Sequence, residues 1–381
     1  MKNVNLFFLL VSLLLHLSCS ETKKTTGICD LDLSSVTQEL PEVLKIETSI
    51  VKLEKSPNSL LRNIQRAYVD FEGDRIFVLS FFNIYIFNGD GAFVAKLAVG
   101  RGPGEIQQVS SFAIDPTSKT LCALDMSMNL VLYNYSGEFL RKYTIKDYSF
   151  IDAHYLDSEN IFLVGNYVGG EEQNYIALFN FKENRIIQKF IPAENSPYKR
   201  TGGLIPTNSF SDGGEGLIFY NPNIFGLHEF NNHEFKRIVN FNLGNKMVPA
   251  QLADEYILNQ RNRFREVAIN KGFVPYILYS FIYKDRYFVI LDDEDVTSFV
   301  IARNDCNDIV KVGSINKYFN LPDVNSMKYP VGIQKEGVIF TGNPVDFLDE
   351  EGNTQGPIKL NGVPVSVSIE DNPFLIICNR E

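Results

Sequence analysis

One pattern returns along the chain and limits the folds open to it. Ile84-Tyr-Ile-Phe-Asn-Gly-Asp-Gly-Ala-Phe93 and Leu130-Val-Leu-Tyr-Asn-Tyr-Ser-Gly-Glu-Phe139 each read as four apolar residues, Asn, two turn residues, Gly, one residue and Phe. They lie about 46 residues apart. A third copy, Ile176-Ala-Leu-Phe-Asn-Phe-Lys-Glu-Asn184, falls a further 46 or so on. Glu183 stands there in place of the glycine, and Arg185 in place of the last Phe. Weaker copies follow at Glu229–Phe235, Ile301–Asn307 and Asp346–Asn353.

Each copy reads as a strand, a tight turn and a second strand, with Asn and Gly supplying the positive φ of short hairpins. Further strand-like runs precede the clearest copies, such as Arg75-Ile-Phe-Val-Leu79 and Leu121-Cys-Ala-Leu124. Three or four strands in roughly 45 residues is the period of a propeller blade. Immunoglobulin-like units need about 100 residues each, and a TIM barrel needs a helix after every strand. Six copies predict an all-β fold, a six-bladed β-propeller with four-stranded blades over 41–381. The residue supply agrees, with 30 Phe, 18 Tyr and no Trp suiting half-buried pleated surfaces. The gap between the fourth and fifth copies is long and predicts one helical insertion at about 245–272. Within it, Leu252, Tyr256, Ile257, Phe264, Val267 and Ala268 share one helical arc.

The first residues predict export. Met1-Lys2 opens a short positive region, and Leu6 to Leu15 is an apolar run too short to span a membrane. Ser18-Cys19 resembles a bacterial lipobox, with His16 where that signal expects an apolar residue. Residues 1–19 are therefore expected to be a lipoprotein signal with lipidated Cys19 retained, and 20–40 a flexible tether. The expected location is the cell envelope, lipid-anchored at the outer membrane. Of the other cysteines, Cys29 falls in the tether, Cys306 lies apart, and Cys122 and Cys378 sit in apolar strands as small hydrophobes. Their disulfide state is open at this point.

Val99-Gly-Arg-Gly-Pro-Gly-Glu-Ile106 looks at first like a phosphate loop. No Lys-Ser/Thr follows it, and its G-x-G-x-G spacing leads into the strand-like Ser111–Ile114 rather than a helix. It fits the return from the outer edge of one blade to the axis, where Gly and Pro permit a sharp turn. Such loops border the face on which propellers often bind ligands, so Arg101, Gly102, Pro103, Gly104 and Glu105 are ligand-face candidates. With "FNGDGAFVAKLAV" before it and "IDP" and "ALD" after it, this stretch resembles the six-bladed propeller lipoproteins of Bacteroidota, the TolB-like and NHL-like group. The resemblance is strongest over 66–146 and implies a six-bladed fold and an envelope location, without an established reaction.

Catalytic signatures are sparse. His154, His228 and His233 show no metal-ligand spacing, and there is no G-x-S-x-G elbow. Both hairpin histidines of the fourth copy are expected to be exposed, and no metal site is assigned. The acidic run Asp292-Asp293-Glu294-Asp295 is the one calcium candidate; no other cofactor is expected. A net charge of −10 excludes a nucleic-acid footprint. The expectation is a monomeric binding or protein-interaction propeller, with a glycan, peptide or envelope protein as partner. The alternative is a propeller lactonase, lyase or hydrolase, with carboxylates or a metal on the central axis.

Overall fold

The computed structural model describes residues 28–33, 46–146, 148–165, 174–192, 208–212, 216–222, 224–252, 255, 261–284, 286–292, 298–303, 309–312, 315–322, 324–348, 358–360 and 362–379. Cys19, Cys306, the tether over 34–40 and the acidic residues 293–295 lie outside them.

The repeats fold as hairpins for a reason visible at their asparagines. Asn88 Oδ1 accepts the Ala92 N–H at 2.7 Å, Asn134 Oδ1 accepts those of Ser136 and Glu138, and Asn180 Oδ1 accepts that of Glu183. The side-chain carbonyl thereby satisfies turn donors that have no ladder partner. Gly91 and Gly137 take φ values of 87° and 81°. In the third copy, where that glycine is missing, Asn184 supplies the left-handed residue at 52°.

The architecture is an all-β propeller. Sheet 1 spans Ile64–Asp70 to Phe93–Lys96, sheet 2 Val109–Asp115 to Phe139–Thr144, and sheet 3 Phe150–Tyr155 to Arg185–Pro192. Sheet 5 runs from Ile277–Tyr283 to Ile309–Val312, and each of these is a four-stranded meander. Sheet 6 is also four-stranded, but it joins Thr48–Val51 to Gly332–Ile333, Gly337–Gly342 and Phe374–Asn379. The expectation of six four-stranded blades is corrected at sheet 4: it has five strands, so among the described residues the four-stranded sheets number five. Its first four run from Phe210–Asp212 to Glu234–Asn242, and the fifth is Cys29–Asp32, paired in parallel with the last of them.

Residues 20–40 are thus not tether throughout. Cys29, Leu31 and Leu33 are buried while Asp30 and Asp32 are exposed. That period-two alternation is a strand signal, short enough to be lost among the polar residues around it. Asn240 Nδ2 also donates to Asp30 Oδ1 at 2.8 Å. Cys29 is disulfide-bonded, whereas Cys122 and Cys378 are free and buried. The sixth repeat is a second correction. Pro344–Phe347 is a single 3-10 turn, not a hairpin strand. Sheet 6 draws its outer strand from the amino-terminal side instead, with Thr48–Val51 antiparallel to Phe374–Asn379.

Apolar side chains from neighbouring sheets merge into shared clusters. Phe77 and Leu79 pack with Phe112 and Leu121 between sheets 1 and 2, and Leu124 with Leu163 between 2 and 3. Phe162 meets Phe230 and Phe235 at 4.9 and 5.3 Å between 3 and 4. Leu227, Phe288 and Phe340 share one cluster across sheets 4, 5 and 6, and Val78 and Ile377 join 6 back to 1. A middle strand covered on both faces has no solvent side, so "IFVLS" and "YFVIL" read as unbroken apolar runs. A helix at Arg261–Asn270 falls inside the segment expected to be helical. Phe264 and Ala268 bury it against the cluster shared by sheets 4 to 6. Gly272, at φ 77°, ends it as Phe273 N–H reaches back to Ala268 O.

Candidate functional site

The first strands of the sheets converge on the axis. Four of them carry a bulge at the same place, between Ile64 and Arg66, Val109 and Ser111, Phe150 and Asp152, and Ile277 and Tyr279. A bulge re-aims the residue that follows it and recurs beside functional sites. The four residues so placed, Arg66, Ser111, Asp152 and Tyr279, are all buried.

Arg66, Ser111 and Asp152 come from three successive sheets and form one cluster. Arg66 Nη1 donates to Ser111 Oγ at 2.7 Å and to Asp152 Oδ1. Ser111 Oγ donates to the same carboxylate oxygen. Asp152 also accepts the Ala153 N–H at 2.8 Å and, from sheet 4, the Ser209 N–H at 2.7 Å. Its side chain is 0 % exposed. Burying a carboxylate is tolerable only when its lone pairs are met, and here four donors meet them. The guanidinium also lies over the Phe112 ring, 5.3 Å from the centroid.

Around this ion pair the polar groups are less complete. Gln65 Oε1, Asn208 Nδ2, Ser209 Oγ and the Tyr279 hydroxyl are buried with no hydrogen-bond partner among the described residues. Tyr279 and Asn208 lie side by side without closing a bond of good geometry. Burial drives the Tyr279 phenol far above its ordinary range, and the nearby Arg66 opposes that shift. His154, two residues beyond Asp152, packs on Phe210 at 5.1 Å between centroids. Its pKa is held down to about 4, by burial first and by the Arg66 charge second, so it is neutral at physiological pH.

Turns and return loops rim the end at which the first strands begin. Sheet 1 turns there through Phe81 and Phe82, at φ 46° and 65°. Two bulky residues in the left-handed region are out of the ordinary for a turn that favours Asn-Gly. Both rings are exposed, by 55 % and 37 %, and Arg62 lies over Phe81 at 4.6 Å. Phe82 O accepts the Val109 N–H, so this turn is tied to the strand that carries Ser111.

The 101–105 candidates form a closed turn at the same end. Glu105 Oε2 accepts the Gly102 N–H at 2.7 Å, and a Cβ on Gly100 would stand 2.0 Å from that oxygen. Gly104 O accepts the Tyr133 hydroxyl. Pro103 is exposed, as is Arg101, which pairs with no carboxylate among the described residues. Glu105 therefore bonds the backbone of this turn rather than Arg101. Of the calcium candidate only Asp292 is described, and both its oxygens accept from Arg265 at 2.7–3.0 Å. His228 is a further correction. It is buried at 6 % exposure, whereas His233 sits exposed in the hairpin turn. Sequence reading missed Arg66, Ser111, Asp152 and Tyr279. Their signal was present as apolar–any–polar triplets opening these four first strands, but only alignment of those strands brings it out.

Known proteins bear on the fold. Residues 44–379 match the family described as Domain of unknown function (DUF4934), and the chain belongs to it. The structure is similar to the crystal structure of a protein from Bacteroides fragilis NCTC 9343 that carries the designation of an exported protein. The TM-score is 0.74 at 17 % identity, covering 93 % of this chain and 100 % of that one. A weaker likeness, TM-score 0.44 at 11 % identity, relates it to the WD40 repeats of RRP9, with 88 % and 100 % covered. No curated protein matches.

Proposed function

We propose that this family member is a six-bladed propeller, with the five-stranded sheet as its sixth blade, that binds a ligand on the face carrying the Phe81-Phe82 turn. The turn is the observation that carries the reading. Left-handed bulky residues cost roughly 1–2 kcal/mol each, and the strain leaves two aromatic rings in solvent. A packing role does not require that. Exposed rings of this kind suit the apolar face of a sugar or a peptide side chain. The donors of Asn208, Ser209 and Tyr279, without partners among the described residues, belong to the surroundings of the Arg66–Asp152 pair and would meet acceptors on the same ligand. The export signal, Cys19 and the designation of the Bacteroides fragilis neighbour support an envelope lipoprotein. Among the described residues no helix is long and apolar enough to cross a membrane.

An enzyme needs an axial carboxylate free to act as base or ligand. Asp152 spends its lone pairs on four donors, which favours binding over catalysis. The test is a thermal-shift screen of the full chain against oligosaccharides, short peptides and divalent ions, repeated on the double variant Phe81→Asn/Phe82→Gly. Relief of strain at both residues, offset in part by the lost Arg62–Phe81 contact and the entropy of glycine, should stabilise the variant by about 1–2 kcal/mol while its ligand response falls. A ligand response that survives intact would sink the reading. A metal-dependent shift with hydrolysis of a test lactone would move the protein to the enzyme class.

A further inference from the structure

The structure assigns a second binding site, independent of the axis, to the cleft between sheets 3 and 4: we infer that it takes a small organic carboxylate with an apolar body. The cleft encloses about 370 Å³ and is lined by Tyr175, Ile191, Ile224, His228, Phe235 and Arg237. That volume lies in the range of small-molecule sites.

Arg237 is the reason for an anion. Its Nε donates to His228 Nε2 at 3.4 Å, Nη1 to Asn240 Oδ1 at 3.0 Å and Nη2 to Ile224 O at 3.2 Å. All three acceptors are neutral. A guanidinium has five N–H groups, so two remain. Among the described residues no carboxylate pairs with this half-buried cation. A desolvated charge without a counter-ion is costly, and burial alone draws the arginine pKa down. Asp30, the nearest acid along the network, is already held by Asn240.

His228 adds a second donor. Because its Nε2 accepts from Arg237, the ring proton resides on Nδ1. That nitrogen is buried with no partner among the described residues. A bulge between Leu227 and His228 sets the ring beside the arginine. Ile191, a β-branched residue at φ 55°, lines the opposite wall. Strain at such a residue is uncommon and recurs at ligand clamps. The donors fit one carboxylate, and Ile191, Ile224 and Phe235 fit an alkyl or aryl body.

Isothermal titration of the purified full-length protein with hexanoate and 4-phenylbutyrate, each beside its primary amide, reads the site. At least one acid should bind with a Kd below about 1 mM, and its amide at least about tenfold more weakly. Arg237→Met should weaken acid binding by about tenfold or more, with Arg237→Lys retaining part of it. Phe81→Asn/Phe82→Gly should leave it unchanged, so failure here and failure of the loop-face reading are separable. Three results would overturn the assignment: neither acid binding at about 10 mM, an amide binding as well as its acid, or Arg237→Met binding as the parent does. The acid-to-amide comparison on the parent stands even where a variant folds poorly.

Discussion

Asp152 is the side chain on which most depends at the scale of single residues. Asp152→Ala strands Arg66 in the interior and should cost about 3–5 kcal/mol in urea denaturation. Adding Arg66→Met should recover part of that loss, because it removes the orphaned charge. Tyr279→Phe deletes a hydroxyl that closes no good hydrogen bond among the described residues and should change stability by no more than about 1 kcal/mol, in either direction. A larger loss would mean that the hydroxyl is bonded. At the opening loop, Glu105→Ala should cost about 1 kcal/mol through the lost Gly102 contact. Arg101→Ala should stay within about 0.5 kcal/mol. The turn asparagines were legible as repeat markers, since their work is done within four residues. The axial residues were not, because each acts on partners from other sheets.

At the scale of elements, the seam between sheets 6 and 1 decides whether the ring holds. Ala67 N–H donates to Val331 O, and Gln334 exchanges two hydrogen bonds of 2.9 Å with the backbone of Val69. Gly332 is needed there, since a Cβ would stand 2.3 Å from Ala67 O. Further out, Asn372 accepts the Leu61 N–H and donates to Glu54 O and Ser59 O. Asn372→Ala should cost about 2–3 kcal/mol, read as a fall in the midpoint of chemical unfolding. Removing Thr48–Val51 should do more, because it bares the edge of Phe374–Asn379. Hairpin elements announced themselves in sequence through Asn and Gly. The closing strand had no such mark, since its partner lies more than 300 residues away, and the strand at Cys29–Asp32 was too short to stand out.

The whole molecule responds to acid through two histidines, His154 and His228. His154 and His228 are both held down to about 4 from an ordinary 6.5, by burial and by the arginine beside each. The unfolded chain therefore binds more protons than the folded one between those values. Stability is full above about pH 6.5 and falls as pH drops toward 4, with up to about two protons taken up on unfolding. Denaturation midpoints measured from pH 4 to 8 should show that slope, and His154→Phe should flatten part of it. A flat profile for the parent would mean that the two rings are solvated.

By itself the sequence determined the all-β class, the blade period and the hairpin turns. Those follow from local chemistry: side-chain alternation, and residues that accept a positive φ. Only the tertiary structure decided the five-stranded sheet, the closure of sheet 6, the axial ion pair and the neutral setting of Arg237 among the described residues. Each of these joins residues that are distant along the chain, through contacts that no local period encodes.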